Sequence, residues 1–540
     1  MPAIVTGRSD RTPYRRREPE ATLLYRVVAA ELDGLRDDLA GASPYGAGLP
    51  KHVDKELEGY LSCGQLHRGF ARVVCRRCRA EHLVAFSCKA RGICPSCTTR
   101  RMHETAAHLV DRVIPRVLIR QWVVTFPRRV RYHLAADPKI ATEALREVLR
   151  VIFAWQRRCA RRIGVRPERA HSNGAITFVQ RFNSALELSL HFHILVPDGV
   201  FVRAGSDVDA RPRFVKLDAP TDDEVVALLD QTVRRVTDLL LRRGRLDDDM
   251  LDDAPEPHLL AAAVPASANS MPFIEEPLPP LCARRDGFSL HAGREVHQND
   301  RVSLERLARY GLRPALALDR LSEGPDGTLL YEMKRRFSDG RHVLRFTPRE
   351  FLLRLCALVP PRGFHMVRYH GIFSAHARGR HALTGRGLRD QPACDSMPSP
   401  ATTAPATAQR SPPEPPRACI SAVASPMASA EGASRSSKQA VRPRGDDVVA
   451  GDDPGRPRRL GWAVLLKRTY AVDVLVCARC QGPMGLLAVI QDERVARRIL
   501  EHLGVAARAP PRGRPWRAPQ AQLSLDEPDR HDDVDPIYPS

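Results

Sequence analysis

Between residues 185 and 196 the chain reads ALELSLHFHILV. Leu186, Leu188, Leu190, Phe192, Ile194 and Val196 fall on one side of a two-residue period, and Glu187, Ser189, His191 and His193 on the other. That period predicts a strand with one packed face and one polar face. Together with residues 174–182 it predicts a strand pair turning at Asn183-Ser184 and ending at Pro197-Asp198-Gly199. Elsewhere the spacing is helical. Leu23, Leu24, Val27, Val28 and Leu32 predict one or two amphipathic helices over 20–60, interrupted by the Gly/Pro-containing stretch 43–50. Further helices are predicted over 140–163, 222–242, 303–311 and 348–358. Residues 117–126 read as a buried strand ended by Pro127, and 329–333 and 342–346 as strand-like pieces. The acidic, proline-containing stretch after 242 is expected as loop.

From 388 to 458 large apolar residues give way to Pro, Ala, Ser and Arg, which cannot bury enough surface to fold. The expected organisation is therefore a basic tail (1–19), a helical and cysteine-containing domain (20–108), a larger domain (109–387), a disordered linker (388–458), a small module (459–505) and a second tail (506–540). No internal repeat is present in the pattern.

At 540 residues with 43% hydrophobic content, the chain has room for two to four domains. Its formal charge of +21 points to the phosphate backbone of a nucleic acid as partner. Arginine makes up 76 of the 84 basic residues, so the total is less telling than its placement. Residues 61–130 carry 14 Lys+Arg against 3 Asp+Glu, about half of the excess in about an eighth of the chain. The N-terminus lacks the apolar core of a signal peptide and no stretch approaches the roughly 20 apolar residues of a membrane span, so a cytoplasmic location away from the membrane is expected. Thirteen cysteines in a reducing compartment suit metal ligation better than disulfides.

Cys75-x-x-Cys78 and Cys94-x-x-Cys97 are 15 residues apart, the spacing of a tetrahedral zinc site made from two knuckles. Closed coordination leaves no open position, so Zn2+ here is expected to be structural and to present the surrounding arginines to DNA. Cys63 and Cys88 lie in the same module and extend the candidate set, either as part of a second site with His67 or His103 or without metal. Cys477-x-x-Cys480 has no matching pair nearby and is read as half a site: its remaining ligands come from elsewhere or from a second protomer, or it binds no metal, and no stable site of its own is expected.

On the histidine strand, residues i and i+2 project the same way about 7 Å apart, so His191 and His193 can reach one divalent ion. Taken alone, the strand fits two solvent-facing histidines better. Glu187 is about 13 Å from His191 along a strand and does not share such an ion; Gln180, on the preceding strand, is nearer but falls on the core side with Ile176, Phe178 and Phe182, so the third ligand stays open. In the 303–311 helix Ser303 is the N-cap candidate, and Leu304, Leu307 and Gly311 face the core. Tyr310 lies on a neighbouring face with Arg306 one turn before it, and Arg309 and Arg313 are near enough to bind a phosphate.

The order of these parts carries more than any one of them. The segments LVAFSCKARGICPSC, RQWVVTFP, QRFNSALELSLHFHILVPDGVF, LERLARYGLRPALALDRL and FHMVRYHGIF together resemble the insertion-sequence ninety-one group of HUH transposases, named for two histidines flanking an apolar residue, here His191-Phe192-His193. The resemblance covers about residues 23–376 and resumes in WAVLLKRTYAVDVLVCARCQGPMGLLAVI.

It implies an α+β fold in which a zinc-binding domain precedes an antiparallel sheet packed with helices. It also implies a catalytic Mg2+ or Mn2+ at His191 and His193, and Tyr310 as the nucleophile that cuts single-stranded DNA through a 5′-phosphotyrosine. Many members carry a second tyrosine four residues earlier. Here that position is Arg306, so the chain resembles the single-tyrosine, common-region branch, and self-association stays open. Tyr369 is the alternative nucleophile, in a segment that reads more like a DNA contact. A rolling-circle initiator or relaxase, and a zinc-dependent DNA-binding regulator without covalent chemistry, are the alternatives in function.

Overall fold

The computed structural model describes residues 18–42, 48–165, 171–202, 212–246, 278–334, 342–377, 380–384 and 475–507, all within one compact unit. The expected tail up to residue 17, most of the acidic stretch, the 388–458 linker, the start of the C-terminal module and the last tail lie outside the described residues. The architecture is α+β, as expected.

Its centre is a six-stranded sheet, antiparallel throughout. The strands run in the order Val367–Gly371, Gly174–Phe182, Leu188–Pro197, Ile119–Thr125, Phe288–Val296, Cys282–Arg285. The predicted hairpin is present. Asn183 closes it, its side-chain oxygen accepting the N–H groups of Ala185 and Glu187 at 3.0 Å each. Such Asx contacts are why asparagine suits a turn. FHMVRYHGIF supplies an edge strand of this sheet, in which Tyr369 pairs with Ile176.

One face of the sheet carries Trp122, Val124, Phe126, Val179, Leu190, Phe192 and Ile194, all buried, in one core with the helices Arg128–Ala136, Pro138–Arg162 and Asp222–Arg242. The long helix starts where Asp137 accepts the N–H groups of Lys139 and Ile140, and the next has a full capping box from Thr221 and Glu224. The opposite face, which the alternating pattern predicted as a polar surface, is not open to solvent. Ile119, Ile176, Phe178 and Leu195 meet Leu109 and Val110 of the helix Pro95–Arg112, and Leu304, Leu307 and Ala308 of the helix Arg301–Gly311. Both faces are covered, so both sets of alternating positions are buried in Ile119–Thr125, in Gly174–Phe182 and from Leu190 onward in Leu188–Pro197.

Ahead of the sheet, the helices Leu23–Ala42 and Lys51–Leu61 precede a hairpin, Phe70–Cys75 and Glu81–Ala85, whose outer strand is extended by Met484–Ile490 from the far end of the chain. No helix among the described residues is long and apolar enough to cross a membrane.

Candidate active site and zinc clusters

The strand Leu188–Pro197 is an interior strand of the sheet, flanked by Gly174–Phe182 and Ile119–Thr125, with Gln180 opposite His191 and Phe178 opposite His193. Gln180 thus shares the histidine face rather than a separate core face. Covered by the tyrosine helix, His191 is 6% exposed and His193 fully buried. Burial pushes the His191 imidazole down to about 4 and His193 well below its ordinary value, with Arg313 adding to both shifts. Both rings are therefore neutral at neutral pH, the state in which imidazole binds a metal.

Each ring has its Nδ1 engaged. His191 Nδ1 lies 2.8 Å from the Ser189 carbonyl, to which it donates, and His193 Nδ1 lies 2.8 Å from the Gln121 amide nitrogen; turned end for end, that amide presents its oxygen to Nδ1–H and frees Nε2 for a metal. Such contacts orient imidazole ligands. With Nδ1–H donated to Ser189, the His191 Nε2 lone pair faces the Gln180 side-chain oxygen at 3.1 Å. Two acceptors facing each other is an arrangement a cation relieves. His193 Nε2 is buried without a hydrogen-bond partner. The donor set fits one divalent ion held by His191, His193 and Gln180. Among the described residues no third His, Cys, Asp or Glu joins the pair. Glu187 sits apart, bonded by Asn183 at 2.8 Å and facing Arg354 at 3.7 Å.

The tyrosine helix begins two residues earlier than predicted. Asp300, not Ser303, is its N-cap, accepting the Ser303 N–H at 2.9 Å. Leu304, Leu307 and Gly311 are buried as expected. Gly311 is needed for close approach, since a Cβ there would meet the Phe178 ring at 2.5 Å. This brings Tyr310 edge-on to His193, with ring centres 5.6 Å apart, while the Gln180 amide donates to the Tyr310 carbonyl at 2.8 Å.

Arg313 lies over the Tyr310 ring at 4.7 Å. The Nε atoms of Arg309 and Arg313 are buried without a hydrogen-bond partner, two donors able to receive a phosphate. Arg306 is exposed on the same helix. Tyr369 packs against the apolar cluster under the helix, and burial raises its pKa. Gln121 was missed in the sequence. Its signal was a polar residue inside an otherwise apolar strand.

The cysteines regroup. Cys94 and Cys97 do not join Cys75 and Cys78; they cluster with Cys63 and Cys88, while Cys75 and Cys78 cluster with Cys477 and Cys480. Ligands from the far end of the chain cannot be read from local spacing, and so the C-terminal pair looked like half a site. The sulfur separations in the first cluster are 3.5–3.7 Å (Cys63–Cys97 3.7, Cys88–Cys97 3.5, Cys94–Cys63 3.5). Four sulfurs about 2.3 Å from one zinc ion are about 3.8 Å apart, so these distances fit a closed tetrahedral site. All eight are free thiols. The Cys78 and Arg77 N–H groups hold the Cys75 thiol down to about 6.

His67 and His103 join neither cluster. His103 lies on the helix that leaves the first cluster, near Arg309 and Glu305 of the tyrosine helix. The same helix end is clasped by Arg301, whose guanidinium donates to the carbonyls of Val110, Ile114 and Pro115.

No curated protein and no solved structure matches the chain. Two sequence families do. Residues 38–126 match a family described as a transposase zinc-binding domain of the insertion-sequence ninety-one type, and residues 174–381 match one described as "Putative transposase". The first span contains the whole first cluster and the knuckle Cys75-x-x-Cys78; the second contains His191, His193 and Tyr310. The chain belongs to the insertion-sequence ninety-one family of transposases, with a zinc-binding domain ahead of its transposase domain.

Proposed function

We propose that this transposase cuts a single DNA strand with Tyr310 and rejoins strands by rolling-circle transposition. The observation that carries the reading is the convergence on one spot of the Tyr310 ring, the unpartnered Nε2 of His193 and the guanidinium of Arg313, whose buried Nε is also unpartnered.

The Tyr310 oxygen attacks the phosphorus, forming a phosphotyrosine ester on the 5′ side. The bond from phosphorus to the 3′ oxygen breaks, the tyrosine proton is lost to solvent and the departing 3′ oxygen takes one up. The ester retains the energy of the phosphodiester, so a DNA 3′-hydroxyl can reverse the step and no ATP is needed. His191, His193 and Gln180 hold Mg2+ or Mn2+, which when bound polarises the scissile phosphate. Arg309 and Arg313 take up phosphate charge, and Arg313 also fixes the ring by stacking. Gln180 links the tyrosine helix to the histidine strand and so sets the distance between them.

The burial of both imidazoles favours a single strand, since a duplex cannot bring a phosphate so far in. DNA approaches a basic surface that includes Arg76, Arg77, Arg79 and Arg479, all exposed on the zinc knuckles. With Arg306 where a second tyrosine would stand, a reaction needing two nucleophiles draws Tyr310 from a second copy of the chain. Incubating the protein with single strands carrying the element's ends and Mg2+ tests the proposal. A protein–DNA adduct that survives a denaturing gel supports it; binding without adduct, in Mg2+ and in Mn2+, contradicts it.

A further inference from the structure

The two families account for the first cysteine cluster and the catalytic face, but not for residues 475–507. We propose that Cys75, Cys78, Cys477 and Cys480 hold a second zinc ion that staples the two ends of the chain together. The segment 475–507 is then an integral part of the zinc-binding domain, returned to it across the long excursion between.

The sulfurs lie within 4.8 Å of one another, with Cys75–Cys480 at 3.4 Å and Cys78–Cys477 at 3.5 Å. This again fits the edges of a tetrahedron around one zinc ion. The two knuckles also share one backbone turn, which is independent of the sulfur distances. In the first, the Cys75 N–H donates to the Ala80 carbonyl and the Arg79 N–H to Cys75; in the second, the Cys477 N–H donates to Gly482 and the Gln481 N–H to Cys477. Arg79 and Gln481, each just after the second cysteine of its knuckle, are both left-handed, with φ of 62° and 57°. A strained, repeated turn of this kind persists where something over-determines it, and a metal shared by both turns does so. Gly482 permits the approach, because a Cβ there would lie 2.9 Å from Arg77 Cβ and 3.2 Å from Cys480 Sγ.

The remaining contacts are modest. Phe70–Cys75 pairs with Met484–Ile490 from Phe70↔Ile490 to Cys75↔Met484, beside a small core of Leu66, Phe70, Ala496 and Leu500 and an exposed Arg68–Glu493 ion pair. An exposed ion pair contributes little, and so small a core needs a metal or a disulfide to hold it. Closing the ends across some 400 residues costs little more than across 100, because closure entropy grows only with the logarithm of length, so a single ion suffices to hold the return.

The test uses the full chain with a specific protease site inserted between 389 and 456, an N-terminal tag, and the same protein carrying Cys477→Ser and Cys480→Ser. The expected result is two zinc ions per chain in the parent and one in the variant, the retained ion showing that the first cluster is still folded. After cleavage the C-terminal fragment stays with the tagged fragment in the parent and separates from it in the variant. One zinc in the parent, or a variant that keeps its cleaved fragment, overturns the staple. Neither outcome depends on the nucleophile, so the result stands apart from the proposed strand-cleavage chemistry.

Discussion

The cysteine clusters and the histidine face place metal donors in buried surroundings, yet they differ in what they leave over. Each cluster brings four thiols together and has no position to spare. The histidine face brings two imidazoles and a glutamine, and leaves His193 Nε2 and the Nε of the neighbouring Arg313 without hydrogen-bond partners. Closed donor sets hold a fold together, whereas an open one with unspent polar atoms keeps room for a substrate. The cost of leaving such groups buried is accepted where a ligand completes them.

The largest effect expected from this contrast is at the open site. His191→Ala with His193→Ala, or brief EDTA treatment, should reduce strand cleavage by on the order of 10³-fold while the structural zinc content stays unchanged, because several kcal/mol of phosphate polarisation are lost. Elemental analysis alongside single-turnover rates checks both halves. Full cleavage in EDTA breaks the comparison. Cys94→Ser with Cys97→Ser should act the other way, removing one zinc ion and the order of the N-terminal helices first. Cleavage should fall only as the Pro95–Arg112 helix loses its anchor beneath the tyrosine helix, and a lowered melting temperature with equal rates among the folded molecules would show that order of events.

Smaller effects refine the open site. Arg313→Ala should slow cleavage by about 10²-fold, the usual loss for one preorganised donor to a transition state. Unchanged rates would assign Arg313 to stacking alone. Gly311→Ala forces a Cβ against Phe178 and should destabilise the domain by about 1–3 kcal/mol in chemical denaturation, with a lesser loss of rate.

Much of this was legible from period alone. Helices were expected over 348–358 and 222–242, and Pro348–Leu358 and Asp222–Arg242 appear over those spans, each opened by a capping box. The alternation in ALELSLHFHILV correctly gave a strand and put both histidines on one face. It could not show that this face is roofed by a helix more than 100 residues later, because a polar residue set into a buried face reads like one facing water. Gln180 was assigned to the wrong environment for the same reason. The cysteines failed differently. Local spacing of 15 residues suggested one site, but knuckle partners are chosen in space, and strand pairing of residues 484–490 beside Cys75 delivers the far pair instead. The Ser303 cap failed because Asp300, three residues ahead, is the stronger acceptor at a helix start.

The central claim is that Tyr310, set beside the open histidine site, carries the DNA strand. The most direct measurement is to trap the adduct on a single-stranded element end, digest the DNA and protein, and locate the modified residue by mass spectrometry, with Tyr310→Phe and Tyr369→Phe run in parallel. The account predicts a nucleotide ester on Tyr310 and its complete loss in Tyr310→Phe, with DNA binding retained and Tyr369→Phe still reactive. An adduct that persists in Tyr310→Phe, or that maps to Tyr369, would contradict it.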